Sequence, residues 1–292
     1  MIPCSNLRAH FSRPEVIRES FRFLRGRWIA ASLQLNEKVV FRRYIHGAPL
    51  RAETERQLAD LLKDLGCVRT LYGSIEIYRV IKRRRDLFDP ENVISCMPVW
   101  DIDSSIECWE VTKEAARLIL EKLEEFGVKD SKFALWSGNG VHVHLNHRAI
   151  SGRVLGKHHP LDIAWSIVEL IRVKVQKDLK GLILKRRPKK LEVCNEIMPR
   201  RVFTAPLSVH RKLDVVTVPL SSEDLEEFSI EWTTPGSFRY SRDWDSYSEG
   251  EADDLALEAL KKVGGYPAPS RKRMRRTRPL EEMIRRALRN GA

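Results

Sequence analysis

Apolar positions along this chain alternate between helical and strand periods, and the changes of period divide it into elements. Residues 14–24 predict a short helix, and the apolar run Trp28–Leu35 follows. Leu58, Leu61, Leu62 and Leu65 recur at helical spacing, so 52–65 reads as an amphipathic helix stopped by Gly66. Val68–Tyr72 and Ile75–Val80 predict two strands around a Gly73-Ser74 turn. A second apolar run, Ile94–Val99, leads into Trp100-Asp101-Ile102-Asp103. Thr112 opens a helix with a core face of Ala115, Ala116, Ile119, Leu120, Leu123 and Phe126, ended by Gly127. Lys132–Trp136, Ser137-Gly138-Asn139-Gly140 and Val141–Leu145 form a hairpin signature. A long helix is expected over 161–178, two or three strands over 191–220, and a short helix from Ser222. Interleaved helices and strands with hairpins predict an α/β (α+β) class with mixed or antiparallel sheets flanked by helices.

Composition narrows the partner. The 292 residues carry a formal charge of +12, which points to a polyanionic partner: nucleic acid, nucleotide or an anionic membrane. Residues 271–292 hold nine Lys/Arg against two Glu, +7 of that total, behind a linker expected at 267–270. The expected division is a core over 1–250 and an extension over 251–292 with this basic tail. No apolar run reaches the roughly 18 residues of a membrane span. The N-terminus lacks an apolar signal core, so a cytoplasmic, nucleoid-associated protein is expected. The five cysteines show no C-x₂₋₄-C pair, which predicts reduced thiols and no zinc knuckle.

Three motifs carry chemistry. In a strand Asp101 and Asp103 share a face while Ile102 enters the core, and paired carboxylates suit a hard cation such as Mg²⁺ or Mn²⁺. Ser137 and Gly138 open a small-residue loop whose backbone N–H groups can approach a phosphate, and His142, at the start of the returning strand, adds an imidazole for the same triphosphate. Arg201, Ser208, His210 and Lys212 lie in one stretch, with alternation placing His210 and Lys212 on one face for phosphate oxygens. Arg42, Arg43, Arg83, Arg84, Lys185, Arg186 and Arg187 form basic loops that track template phosphates.

The ordered set Asp-x-Asp, Ser-Gly-x-Gly-x-His and Pro-x-Ser-x-His-x-Lys resembles the archaeo-eukaryotic primase superfamily, most closely the archaeal primase small (catalytic) subunits. The resemblance covers roughly residues 40–220. It implies a primase-type catalytic core and a third acidic ligand eighteen residues before His210. Glu192 stands there, one methylene longer than the usual Asp. Thr204 stands where an arginine is common, and the zinc-binding insertion is absent. The implied activity is template-dependent nucleotidyl transfer from NTPs or dNTPs, as a DNA primase or primase-polymerase. Asp101, Asp103 and Glu192 would be both catalytic residues and ligands of two divalent ions. Single-stranded DNA is the implied template, and a primase large subunit or another replication or repair protein the implied partner of the tail. A noncatalytic accessory subunit that keeps the fold is the competing expectation.

Overall fold

The computed structural model describes residues 2–35 and 38–267. The basic tail at 271–292, and the expected linker apart from Pro267, lie outside the described residues. The chain opens with helices α1 (Cys4–Phe11) and α2 (Pro14–Leu24), then strands β1 (Ile29–Leu35), β2 (Lys38–Arg42), β3 (Tyr44–Ile45) and β4 (Ala48–Pro49). Helix α3 (Glu55–Leu65) precedes β5 (Val68–Ser74), β6 (Glu76–Tyr78), β7 (Val93–Cys96) and β8 (Val99–Ser104). Next come α4 (Trp109–Glu125), β9 (Lys132–Trp136), β10 (Gly140–Leu145), α5 (Gly152–Leu155) and α6 (Pro160–Arg186). The chain closes with β11 (Leu191–Asn195), β12 (Val202–Thr204), β13 (Val218–Leu220), α7 (Ser222–Glu227) and α8 (Asp253–Val263).

Two main sheets result, in the orders β12-β5-β1-β2 and β11-β8-β10-β9-β13, with β3–β4 and β6–β7 as separate pairs. Every pairing is antiparallel. This is the expected mixed α/β class, with antiparallel sheets flanked by helices. In the five-stranded sheet, Trp100, Ile102, Val141 and Val143 alternate onto the face covered by α4 and α6, where Trp100 Nε1 donates to the Val168 carbonyl at 3.0 Å. The opposite face is left for polar side chains.

Several boundaries differ from the periodicity reading, each for a packing reason. Gly73 is not a turn: β5 runs through it to Ser74. A Cβ there would lie 2.9 Å from Arg27 Cδ and 3.0 Å from Phe23, so the glycine admits a buried guanidinium. Arg27 donates to the Phe23 and Ser74 carbonyls, and burial lowers its pKa to about 9. Helix α6 continues to Arg186, about two turns past the expected end, on buried Leu179 and Leu182. Helix α8 packs on α6 through buried Leu255, Ala256 and Ala259. The expectation of reduced thiols fails for one pair. Cys4 and Cys67 are disulfide-bonded with Cα atoms 5.5 Å apart, because α1 lies across the start of β5. Distance in sequence, 63 residues, hid that neighbourhood.

Candidate active site

Antiparallel register assembles the polar face of the five-stranded sheet. Asp103 pairs with Gly140 on one side and Glu192 on the other; Asp101 pairs with His142 and Cys194; Val99 pairs with His144. Directly opposed residues point to the same face, with Cβ atoms about 5 Å apart. Asp101, Asp103 and Glu192, separated by 91 positions, therefore share one surface with His142 and Cys194. That face passes from dry to wet along the strands. His144 is fully buried, stacked on Phe133 at 4.6 Å and edge-on to Phe23 and Phe203. Asp101 and His142 are largely buried, while Asp103 and Glu192 are exposed.

Cations face the carboxylates. Arg201 Nη2 lies 3.6 Å from Asp101 Oδ2 and 3.1 Å from Glu196. His142 Nε2 lies 3.6 Å from Asp101 Oδ1, and Lys190 Nζ donates to Asp103 Oδ2 at 3.1 Å. The Asp103 contact raises the Lys190 pKa. Burial lowers that of His142, and Asp101 opposes the shift. Burial raises the Cys194 thiol to about 11, helped by Glu192. Two buried nitrogens here lack a partner among the described residues, His142 Nδ1 and Arg201 Nε.

The donor set suits a hard divalent ion by chemistry, with three carboxylates on one face and no adjacent deprotonated thiol. Among the described residues, no three His, Cys, Asp or Glu side chains are gathered closely enough to grip an ion. Protein cations hold the aspartates instead. An ion bound by Asp101, Asp103 and Glu192 would have to displace Arg201 and Lys190.

The hairpin loop and the last motif meet above this face. Ser137 N and Oγ both donate to the Gly140 carbonyl, at 2.9 and 3.1 Å. Gly138 sits at φ +116°, and a Cβ there would be 3.0 Å from the His210 ring. His210 Nδ1 accepts the backbone N–H groups of Lys212 and Leu213 at 3.3 and 2.9 Å. Acceptance at Nδ1 places the proton of the neutral ring on Nε2. Burial, with Arg211, Arg69 and Lys212 nearby, lowers its pKa to about 4, which leaves the ring uncharged at pH 7.

Two expectations about this stretch change. The segment after His210 is a tight turn, not an extended strand, so His210 and Lys212 meet by folding back and not by alternation. Ser208 is fully buried: its Oγ accepts from Leu71 N at 3.0 Å and braces the segment on β5. Buried Arg69 secures the same turn through the His210 and Leu213 carbonyls and Asp214.

The basic residues expected to track nucleic acid fall into two groups. Arg42, Arg43, Arg83 and Arg84 lie near β2 and the 3₁₀ turn after β6, where Arg43 covers the Trp28 and Phe41 rings. Lys185, Arg186 and Arg187 are exposed at the end of α6, and Arg186 pairs with Glu114. Lys190, the last residue of the basic run from Lys185, lies on Asp103, and no motif points to Cys194, Glu196 or Arg200. Alternation from Glu192 already places Cys194 and Lys190 on its face. No local signal reveals Arg200, whose N–H donates to buried Glu76 at 2.7 Å while its backbone holds φ +62°.

No family model and no curated protein matches this sequence. Among solved structures, the chain is similar to the polymerase domain of Ligase D from Mycobacterium tuberculosis, determined in complex with DNA. The TM-score is 0.53, with 13% sequence identity and coverage of 89% of each chain. At that identity the likeness is one of fold, and this chain shares its fold with that polymerase domain.

Proposed function

We propose that this protein is a template-dependent nucleotidyltransferase, a primase or primase-polymerase that joins nucleotides from NTPs or dNTPs on single-stranded DNA. The observation that carries the reading is the strand register: it lines up Asp101, Asp103 and Glu192 on one face beside His142, beneath the Gly138–His210 contact. Support also comes from the motif resemblance to archaeal primase small subunits and from the fold likeness to a DNA-bound polymerase domain.

Asp101, Asp103 and Glu192 would hold Mg²⁺ or Mn²⁺, which when bound supply positive charge for a 3′-hydroxyl and a triphosphate. The chain's own groups orient the nucleotide. His210 offers its Nε2–H to a phosphate oxygen as a preorganised dipole. Arg201, released from Asp101, carries a guanidinium that takes two phosphate oxygens at once, and Lys212 adds a point charge at the rim. His142 Nε2, 3.6 Å from Asp101 Oδ1, keeps that carboxylate oriented.

Asp101→Ala is expected to abolish metal-dependent incorporation of labelled nucleotide, with single-strand binding within about 2-fold of wild type. Equal loss of binding and synthesis would assign Asp101 a folding role and overturn the proposal. A noncatalytic nucleic-acid-binding role is favoured by one feature, the occupation of both aspartates by Lys190 and Arg201. Wild-type protein that binds DNA but incorporates nothing with Mg²⁺ or Mn²⁺ selects that reading.

A further inference from the structure

A series of alternating rings and guanidinium groups leads away from the candidate site. Arg200 lies 4.3 Å over the Phe88 ring; Arg84 lies 5.9 Å from Phe88 and 6.0 Å from Tyr44. Tyr44 packs on Trp28 at 5.5 Å, and Arg43 bridges Trp28 and Phe41 at 4.8 and 5.1 Å. Its inner end adjoins Arg201, the guanidinium facing Asp101. The two end rings are unusually open for phenylalanine, Phe41 at 48% exposure and Phe88 at 51%. Trp28 is buried beneath them and fixes the middle. The neighbouring acids are engaged by backbone: Asp86 accepts the N–H groups of Lys82 and Arg83, both at 2.8 Å, Asp89 accepts that of Glu91 at 3.0 Å, and buried Glu76 accepts that of Arg200 at 2.7 Å.

Exposed rings cost solvation, and a fixed guanidinium beside each ring has few partners other than anions. A single nucleic-acid strand satisfies both: its bases stack on the rings and its phosphates lie against the arginines. A duplex hides its base faces, and the carboxylates of an acidic peptide offer no aromatic rings to stack on Phe41 and Phe88. We propose that Phe41 and Phe88 are base-stacking positions of a shelf for single-stranded nucleic acid, with Arg43, Arg84 and Arg200 on its phosphates. The shelf deepens the function proposed above and rests on it for the strand's role as template. Its binding is tested without nucleotide or metal, so the two readings fail separately.

Binding of fluorescein-labelled oligo-dT is measured by anisotropy in EDTA across a KCl series, for wild type, Phe41→Ala, Phe88→Ala, Phe88→Tyr and Arg84→Ala. An abasic strand of equal length is the second probe. Each alanine variant of a ring is expected to weaken oligo-dT binding about 5-fold or more with an unchanged salt slope. Phe88→Tyr should bind as wild type. Arg84→Ala should lower the slope by about 0.7 for the one phosphate lost. The abasic strand should bind wild type more weakly than oligo-dT and be indifferent to the ring substitutions. Both rings are exposed, so melting temperatures should match. Equal affinity of oligo-dT for wild type and both alanine variants, or of wild type for the two strands, overturns the stacking assignment. Wild type that discriminates the strands but incorporates no nucleotide keeps the shelf and sinks the enzymatic reading.

Discussion

Gly140 is the position where the smallest change should do the most damage. It is the first residue of β10, opposite Asp103, and an added Cβ would sit 2.1 Å from the Ile102 carbonyl oxygen and 3.2 Å from its carbon. Both obstacles are backbone of β8, so no side chain can swing aside. Restoring an ordinary contact of 3.4 Å or more requires β8 and β10 to separate by more than 1 Å beside Asp103. Separation stretches the ladder there, and each buried hydrogen bond left unmade costs about 1–3 kcal/mol. Gly140→Ala should therefore destabilise by about 2–4 kcal/mol, a fall of roughly 4–10 °C in melting temperature for a chain of this size. A 1 Å misplacement at reacting groups costs about 100-fold in rate, so incorporation should fall far more than the folded fraction does. Thermal melts and single-nucleotide incorporation on the same preparation check both numbers. A variant with wild-type melting and wild-type incorporation would refute the reasoning, because the strand spacing at Asp103 would then be irrelevant.

Other outcomes follow from the same contacts. His210, at about 4, and His147, at about 3, are held below the ordinary histidine value of 6.5 chiefly by burial, and His144 is lowered in the same way. The folded state binds fewer protons than the unfolded one between pH 6.5 and 4. Stability should thus be intact above pH 6.5 and fall on acidification, by on the order of 3 kcal/mol or more at pH 4; flat urea midpoints across that window would contradict it. Arg69→Met removes the buried anchor of the 210–214 turn; it should cost about 2–4 kcal/mol and weaken nucleotide affinity through His210, read by urea melts and NTP titration. Reducing the Cys4–Cys67 bond opens a loop of 63 residues and should lower stability by up to about 4 kcal/mol, seen as a lower melting temperature in dithiothreitol.

Local pattern carried much of the architecture. Helix α2 at 14–24, the hairpin of β9 and β10, and the sharing of a face by Asp101 and Asp103 all follow from periods of 3.6 and 2 and from turn chemistry. These features depend on neighbours a few residues apart, so the chain states them directly. Gly73 and α6 were misjudged because their explanations, a buried Arg27 and a continuing apolar floor, come from elsewhere in the molecule.

What the sequence determined by itself is the chemical inventory: two carboxylates on one strand, a small-residue loop, a late histidine and an excess of positive charge. The tertiary structure decided which of these meet. Pairing of β8 with β10 and β11 joined residues 91 positions apart on one face, and the turn at 210–214, ahead of β13, fixed the His210 ring against Gly138. It also turned Ser208 inward and set Lys190 and Arg201 against the aspartates. Register and burial are properties of contacts between distant segments, and only the folded chain specifies them.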